Sequence, residues 1–384
     1  MTKKKLIRIT TIPLSLDKLL EGQLLFMNDY YDVVAVSSEK EYLEKIGKRE
    51  NVATHHIEMT RKITPIQDVI AVIKMYFYFK KVKPYIVHTH TPKAGIVGMM
   101  AAKLAKVPHR LHTVAGMPLL ESTGLKRKIL DFVEKLTYSC STKVYPNSKE
   151  LLQIIQTNSY CENLKLKVIA NGSSNGINTC YFNSDLIPQH QKVELKNQLK
   201  INENDFVFIF VGRIVTDKGI NELVQAFSKL NQEINSIKLL LVGPFEEDLN
   251  PLKPETLEII KSHSSIVSVG YQNDVRHYFS ISNALVFPSY REGFPNVVMQ
   301  AGAMNLPSIV SNINGCNEII ENNENGIIIP VKNSTALFLA MKEVVHNTMN
   351  YQFMKSNSRS LIKNRFEQKI VWEALLNEYE SLEQ

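Results

Sequence analysis

Short apolar, β-branched runs alternate with longer amphipathic stretches along the whole chain. In the first half, Leu6–Ile9, Val33–Ser37, Tyr85–His88, Arg110–Val114, Lys143–Pro146 and Lys167–Ala170 have the length and composition of strands. Between them, Pro65–Lys81, Ala94–Ala105, Lys126–Ser139 and Ser148–Thr157 repeat apolar residues at helical spacing. The second half keeps the rhythm, with strands expected at Phe206–Val211, Lys238–Val242, Ile266–Val269, Ala284–Pro288 and Ser308–Val310. Strands alternating with helices in this way build parallel sheets covered on both faces. Unbroken apolar strands such as Val207–Val211 suit that burial. The predicted fold class is α/β: two doubly wound, Rossmann-like domains facing a central cleft, with ligands at the C-terminal ends of the strands.

A chain of 384 residues is long for one core. The polar stretch Phe182–Lys192, with Pro188 and no periodicity, marks the expected join. The domains are therefore read as 1–185 and 186–355, with a helical segment at 356–384 packing back on the first. Hydrophobic residues at 44% and charged residues at 22% fit a globular protein. No apolar run approaches the roughly 20 residues of a membrane-spanning helix. Asp17 and Glu21 interrupt any apolar core behind the basic N-terminus, so no export signal is expected. The four cysteines lack ligand-like spacing and read as reduced thiols of a cytoplasmic protein.

The net charge of +7 is unevenly distributed. Residues 1–185 carry 27 Lys+Arg against 16 Asp+Glu, and the remainder 18 against 22. A basic half points to an anionic partner. With no nucleic-acid motif beside the charge, an anionic membrane surface is preferred to nucleic acid. Leu125, Ile129, Phe132, Val133 and Leu136 form an apolar stripe beside Lys126, Arg127 and Lys128, and 74–83 likewise mixes aromatic and basic residues. Such helices either lie in the headgroup plane or pack on the sheet with their charges solvated.

Two motifs carry the chemistry. In 211–227 an apolar strand ends at Gly212 and Arg213, and Lys218-Gly219 opens an amphipathic helix. A bidentate guanidinium, an ammonium and a helix N-terminus together suit a diphosphate. Two solvated charges flanking a turn is the plainer alternative. In 288–307, a buried strand leads to Glu292, Gly293, Phe294, Pro295 and Asn296 at the start of a helix. A carboxylate there accepts from sugar hydroxyls, or simply caps the helix dipole; glycine admits close backbone approach.

The GR-x4-KG motif, followed by SYREGFPN and GAM-x-LP, resembles the retaining family 4 glycosyltransferases of GT-B fold. The segments 86–102, 112–138, 145–148, 171–177 and 239–244 (LLLVGP, with Gly243) resemble the branch that builds bacterial capsule and O-antigen repeats. The resemblance implies a donor clamp of Arg213 and Lys218, and Glu292 on the donor sugar. It also implies donor binding by Gly212, Gly243, Gly293, Phe294, Pro295 and Asn296. The second glutamate of the family's E-x7-E motif is Gln300 here, so the ribose contact loses its charge. Where many members have T-x-H-G, this chain has Thr113-Val114-Ala115-Gly116, so the histidine role is not carried over to His112. His90, Thr113 and Gly116 remain as the acceptor-side residues. A metal site of His88, His90, His109 and His112 is conceivable by ligand type, but no carboxylate accompanies them.

The implied activity is transfer of a sugar from a nucleotide diphosphate, expected to be a UDP-hexose or UDP-N-acetylhexosamine, to a polyprenyl-diphosphate-linked saccharide. No cofactor and no metal is expected, since no Asp-x-Asp occurs and Arg213 and Lys218 can stabilise the leaving diphosphate. The expected location is the cytoplasmic face of the membrane, as a peripheral protein. A nucleotide-sugar epimerase of the same architecture and a non-catalytic sugar-nucleotide-binding protein are the competing readings.

Overall fold

The computed structural model describes residues 3–117, 119, 122–246 and 250–383. The chain forms two compact units, residues 1–175 with 369–384, and residues 176–368.

The first unit holds strands β1 (Lys5–Ile9), β2 (Asp32–Ser37), β3 (Ala53–His56), β4 (Ile86–Thr89), β5 (His109–Val114) and β6 (Lys143–Pro146). They form one parallel sheet in the order β3-β2-β1-β4-β5-β6. Side chains alternate across it. Ile7 and Ile9 pack under the helices Pro65–Val82 and Pro92–Leu104, together with Val34, Val36 and Val87. Leu6 faces the other way, into a core with Val33, Ile86 and Leu111 that Leu375, Leu376 and Tyr379 of the helix Gln368–Ser381 complete.

The second unit repeats the plan with β7 (Phe206–Val211), β8 (Ile237–Val242), β9 (Ile266–Ser268), β10 (Ala284–Phe287), β11 (Ser308–Ser311) and β12 (Gly326–Ile329), ordered β12-β11-β10-β7-β8-β9. Every pairing in both sheets is parallel. The strand order reverses between β1 and β4 in one unit and between β7 and β10 in the other. Those two points are where open α/β sheets hold ligands.

Three differences from the expectations have physical causes. Lys167–Ala170 is not a strand: beyond the single bridge Val144–Leu166 the chain leaves the sheet edge, turning through positive φ at Ala170. Edge strands β3 and β12 join the sheets instead. The units meet in sequence at 175/176 and 368/369 rather than at 185/186 and 355/356. Ile177 is already buried in the second core, and Arg359 donates to the carbonyls of Thr179 (2.7 Å) and Phe182 (2.8 Å). Ile362 and Phe366, beyond the expected second boundary, also lie in that core.

Candidate functional site

In the second unit, the loops leaving β7 and β10 carry most of the sequence-predicted residues. Gly212 follows β7 and donates to the Val242 carbonyl (2.9 Å), while Gly243 after β8 donates to that of Gly270 (2.8 Å). These loops touch backbone to backbone. A Cβ on Gly243, at φ 149°, would lie 1.8 Å from the Gly212 oxygen, so no other residue fits. The turn Thr216–Lys218 then leads to Gly219 at φ 72°, where a Cβ would lie 2.1 Å from the Pro288 oxygen. Gly219 lets the start of helix Ile220–Glu233 press against the chain leaving β10, which brings Lys218 to Glu292.

Lys218 and Glu292 form an ion pair with side chains only 15% and 16% exposed. Arg213 pairs with Glu246 (2.8 Å) and stays 42% exposed. That hydrogen bond, with the fields of Glu246, Asp217 and Glu292, holds the Arg213 guanidinium above its ordinary pKa. Asp217 is bound to Arg291 through Oδ2 (2.6 Å), and its Oδ1 is buried without a partner. Each cation therefore has a carboxylate partner. An entering diphosphate would exchange those carboxylates for phosphate oxygens, a bidentate exchange at Arg213 and a point-charge exchange at Lys218.

Gly293, Phe294 and Pro295 lead into the helix Asn296–Ala303. Asn314, after β11, donates to the carbonyls of Glu292 (3.1 Å) and Gly293 (2.6 Å), and Phe294 is anchored on Phe366 (5.5 Å between ring centres). The loop is thus fixed through its carbonyls and its aromatic ring. The first-turn amides of Asn296 and Val297 have no intrahelical acceptor, so the loop ends in donors suited to an anion. Gln300 is half-buried on the same helix.

In the first unit His88 and His90 lie with ring centres 4.2 Å apart, but the four histidines do not form a set of metal ligands. His88 bonds the Tyr379 hydroxyl through Nδ1 (2.5 Å) and Thr113 Oγ1 through Nε2 (2.8 Å). His112 Nδ1 bonds Thr89 Oγ1 (2.7 Å), and His109 packs on Tyr85 at the far end of β5. Burial holds His112 down at about 4 and pushes His88 and His90 well below the usual histidine range. Among the described residues no group of three or more His, Cys, Asp or Glu is placed to hold a metal. His90 and Thr113 line one pocket at the strand ends, with Asn147 and Ser174; Gly116 is not among its lining residues.

Residues 191–361 match the family model for glycosyl transferases group 1, and residues 23–148 that for glycosyl transferase 4-like proteins. The chain is 32% identical to the capsular polysaccharide biosynthesis glycosyltransferase CapM of Staphylococcus aureus, across 99% of this chain and 97% of that one. The chain belongs to the glycosyl transferases group 1. This glycosyltransferase is also 30% identical, over 89% of its length and 87% of the relative's, to the UDP-Gal:alpha-D-GlcNAc-diphosphoundecaprenol alpha-1,3-galactosyltransferase of Escherichia coli. Its fold matches a glycosyltransferase of Rickettsia africae (TM-score 0.81, 20% identity, all of both chains). It also matches Anabaena HepE solved with UDP and glucose (TM-score 0.80, 16% identity, 98% and 100% of the two chains). Both are GT-B likenesses in fold.

Sequence reasoning passed over several polar residues of this glycosyltransferase. Arg8 lies fully buried on β1, and Asp217 and Arg291 join the loops that leave β7 and β10. Arg8 had a signal: an arginine between Ile7 and Ile9 in an otherwise apolar central strand.

Proposed function

We propose that this glycosyltransferase moves a hexose or N-acetylhexosamine from UDP to a saccharide carried on polyprenyl diphosphate, with retention, during synthesis of a bacterial surface polysaccharide. The observation that carries the reading is the Lys218–Glu292 pair at the β7/β10 switch point, with Arg213 beside it. The relatives support the substrates: they include a capsular enzyme and two enzymes acting on diphosphoundecaprenol-linked sugars. In this reading Arg213 and Lys218 hold the diphosphate, Glu292 accepts from donor sugar hydroxyls, and Gln300 reaches the ribose. Gly212, Gly243 and the Gly293–Asn296 loop give close backbone approach. The acceptor hydroxyl oxygen bonds to the anomeric carbon as the bond to the phosphate oxygen breaks. The phosphate keeps that electron pair and takes the hydroxyl proton. The two cations stabilise the charge as it develops, so no metal ion is assigned a step.

The acceptor would be met at the cytoplasmic membrane surface. No described helix is long and apolar enough to cross a membrane. The helix Pro65–Val82 buries Ala71, Met75 and Phe79, yet exposes Ile66 (79%), Val69, Ile70, Ile73 and Phe77 (65%) along its other side. Helix Gly124–Cys140 exposes Leu125, Ile129 and Phe132, with Lys126 and Lys128 also exposed. Val133 and Leu136 are half-buried, and Arg127 is held by Asp131 and Tyr160, so the outer stripe is shorter than the sequence suggested. Apolar stripes flanked by lysines suit an anionic bilayer.

The test is transfer of radiolabelled sugar from UDP-galactose, UDP-glucose and their N-acetylhexosamine counterparts to undecaprenyl-diphosphate N-acetylglucosamine. Rapid UDP release that depends on the acceptor, with label in the lipid fraction, is expected. Interconversion of the nucleotide sugars without acceptor, or binding with no turnover, would overturn the reading.

A further inference from the structure

Five consecutive residues leaving β10 are tied to the turn and helix that follow β7. The Pro288 carbonyl lies against Gly219, and Glu292 pairs with Lys218. Between them, Ser289 Oγ (3.4 Å) and the Tyr290 amide (2.9 Å) both donate to the Asp217 carbonyl, while Arg291 holds the Asp217 carboxylate. Tyr290 goes one step further. Its phenol reaches past Lys218 to Glu222, in the first turn of the helix Ile220–Glu233, and lies 2.8 Å and 2.7 Å from the two carboxylate oxygens. Tyr290 therefore grips the chain on both sides of Lys218, by its backbone one residue before it and by its side chain four residues after it.

The ring is held from a third element as well. Lys332, on the loop after β12, stands with its ammonium 4.8 Å from the ring centre. Burial, and then the bond to Glu222, holds the phenol above its ordinary pKa, so it keeps its proton and donates. A hydrogen bond to an ionised group is roughly twice as strong as one between neutral groups. Among the described residues neither the Tyr290 hydroxyl nor the Glu222 carboxylate bonds Arg213, Lys218 or Glu292. Their bond can reach the cation site only by fixing the backbone that carries Lys218.

We infer that Tyr290 is a positioning residue of the cation site: through Asp217 and Glu222 it sets where Lys218 stands, and so how well the ammonium meets the β-phosphate of a nucleoside diphosphate. It touches no substrate atom in this role. That the ligand is a nucleoside diphosphate rests on the function proposed above; that Tyr290 governs the placement of Lys218 does not.

The test compares UDP with UMP in calorimetric titrations of the full chain, because the ratio of their affinities isolates the β-phosphate. Y290F removes one oxygen and leaves the backbone bond to Asp217 in place. It should cut the preference for UDP over UMP about tenfold, the scale of one charge-assisted hydrogen bond, with UMP affinity within about twofold of wild type. E222A should do the same. E222Q still accepts from the phenol and should keep most of the preference. The double variant Y290F/E222A should lose no more than either change alone, since both break one bond. A lowered melting temperature with the UDP preference unmoved would make Tyr290 merely structural and overturn the inference. Additive losses in the double variant would overturn it too, by giving the two residues separate roles. If Y290F does not fold, E222A against E222Q decides. If wild type prefers UDP but transfers no sugar, the proposed function fails while the ratio still tests Tyr290. If wild type binds UDP no tighter than UMP, Lys218 meets no β-phosphate and both fall.

Discussion

Lys218 and Glu292, 74 residues apart in the chain, are joined as an ion pair in the loops leaving β7 and β10. If both cations act as proposed, the pair ties activity to stability at Lys218 and not at Arg213. R213A should lower turnover about 100-fold or more, the scale of a lost oxyanion donor, with little change in melting temperature because Arg213 is exposed. K218A should lose as much turnover and also destabilise the protein by roughly 1–3 kcal/mol, since the Glu292 carboxylate is left mostly buried and unpaired. The double variant K218M/E292Q should recover the stability without the activity. Turnover and thermal unfolding on the same preparations check this. Wild-type turnover in R213A or K218A would remove the clamp.

If these cations do the work of a metal, transfer should survive a chelator. Assays with and without EDTA, after exhaustive dialysis, should agree within about twofold. A strict need for added Mg2+ or Mn2+ would contradict the proposed role of Arg213 and Lys218.

Gln300 tests the ribose assignment. Q300E should keep or strengthen UDP binding, whereas Q300L should weaken it about tenfold by leaving a hydroxyl unpaired. Calorimetric titration of UDP against both variants decides it. Equal affinities would place the residue away from the nucleotide.

The buried histidines set a pH dependence. His112 titrates at about 4 in the folded chain, and His88 and His90 lie well below their ordinary 6.5, all because burial disfavours the charged ring. The unfolded chain binds protons on these rings at higher pH than the folded chain does. Stability is therefore full above about pH 6.5 and falls as pH drops towards 4, by roughly 1.4 kcal/mol per pH unit for each ring. The first unit's melting transition should fall from pH 7 to pH 5, and H112Q should reduce that slope by about one proton. A transition that does not move over this range would show that these rings are charged in the fold.

Membrane docking is tested by flotation with vesicles containing anionic lipid. Binding should fade as salt rises, because exposed charges are screened over about 8 Å at physiological ionic strength. I73S/F77S/F132S and, separately, K74E/K126E/K128E should each reduce binding while UDP affinity is unchanged. Arg127 is left intact because it holds Asp131 and Tyr160. Failure to bind anionic vesicles even at low salt would point to a soluble acceptor.

Much of the fold was legible because burial on both faces writes itself as unbroken apolar runs, as in Phe206–Val211 and Ala284–Phe287. Edge strands wrote less. Ala53–His56 is half exposed and polar, so no run marks it, although Gly326–Ile329 was available between Asn325 and Pro330. The residues of the loops leaving β7 and β10 were legible as motifs because each motif is local. Their partners were not: nothing in the chain near Arg213 announces that Glu246 will meet it, nor that Asp217 will hold Arg291. The same limit hid Tyr379 behind His88, at a separation of 291 residues.

That separation has a consequence for how the protein is made. Tyr379 is fully buried, Trp372 packs over Gly22 and bonds Asn175, and Tyr145 bonds Glu378. The first unit thus takes its last core residues from the segment 369–384, beyond the whole of the second, which is continuous from 176 to 368. On the ribosome the order of completion is inverted: the later-encoded unit has all its residues first, and the earlier one waits, open along one face, until the helix Gln368–Ser381 has emerged. A stop before Leu375 would leave the second unit whole and the first without the helix that closes its core.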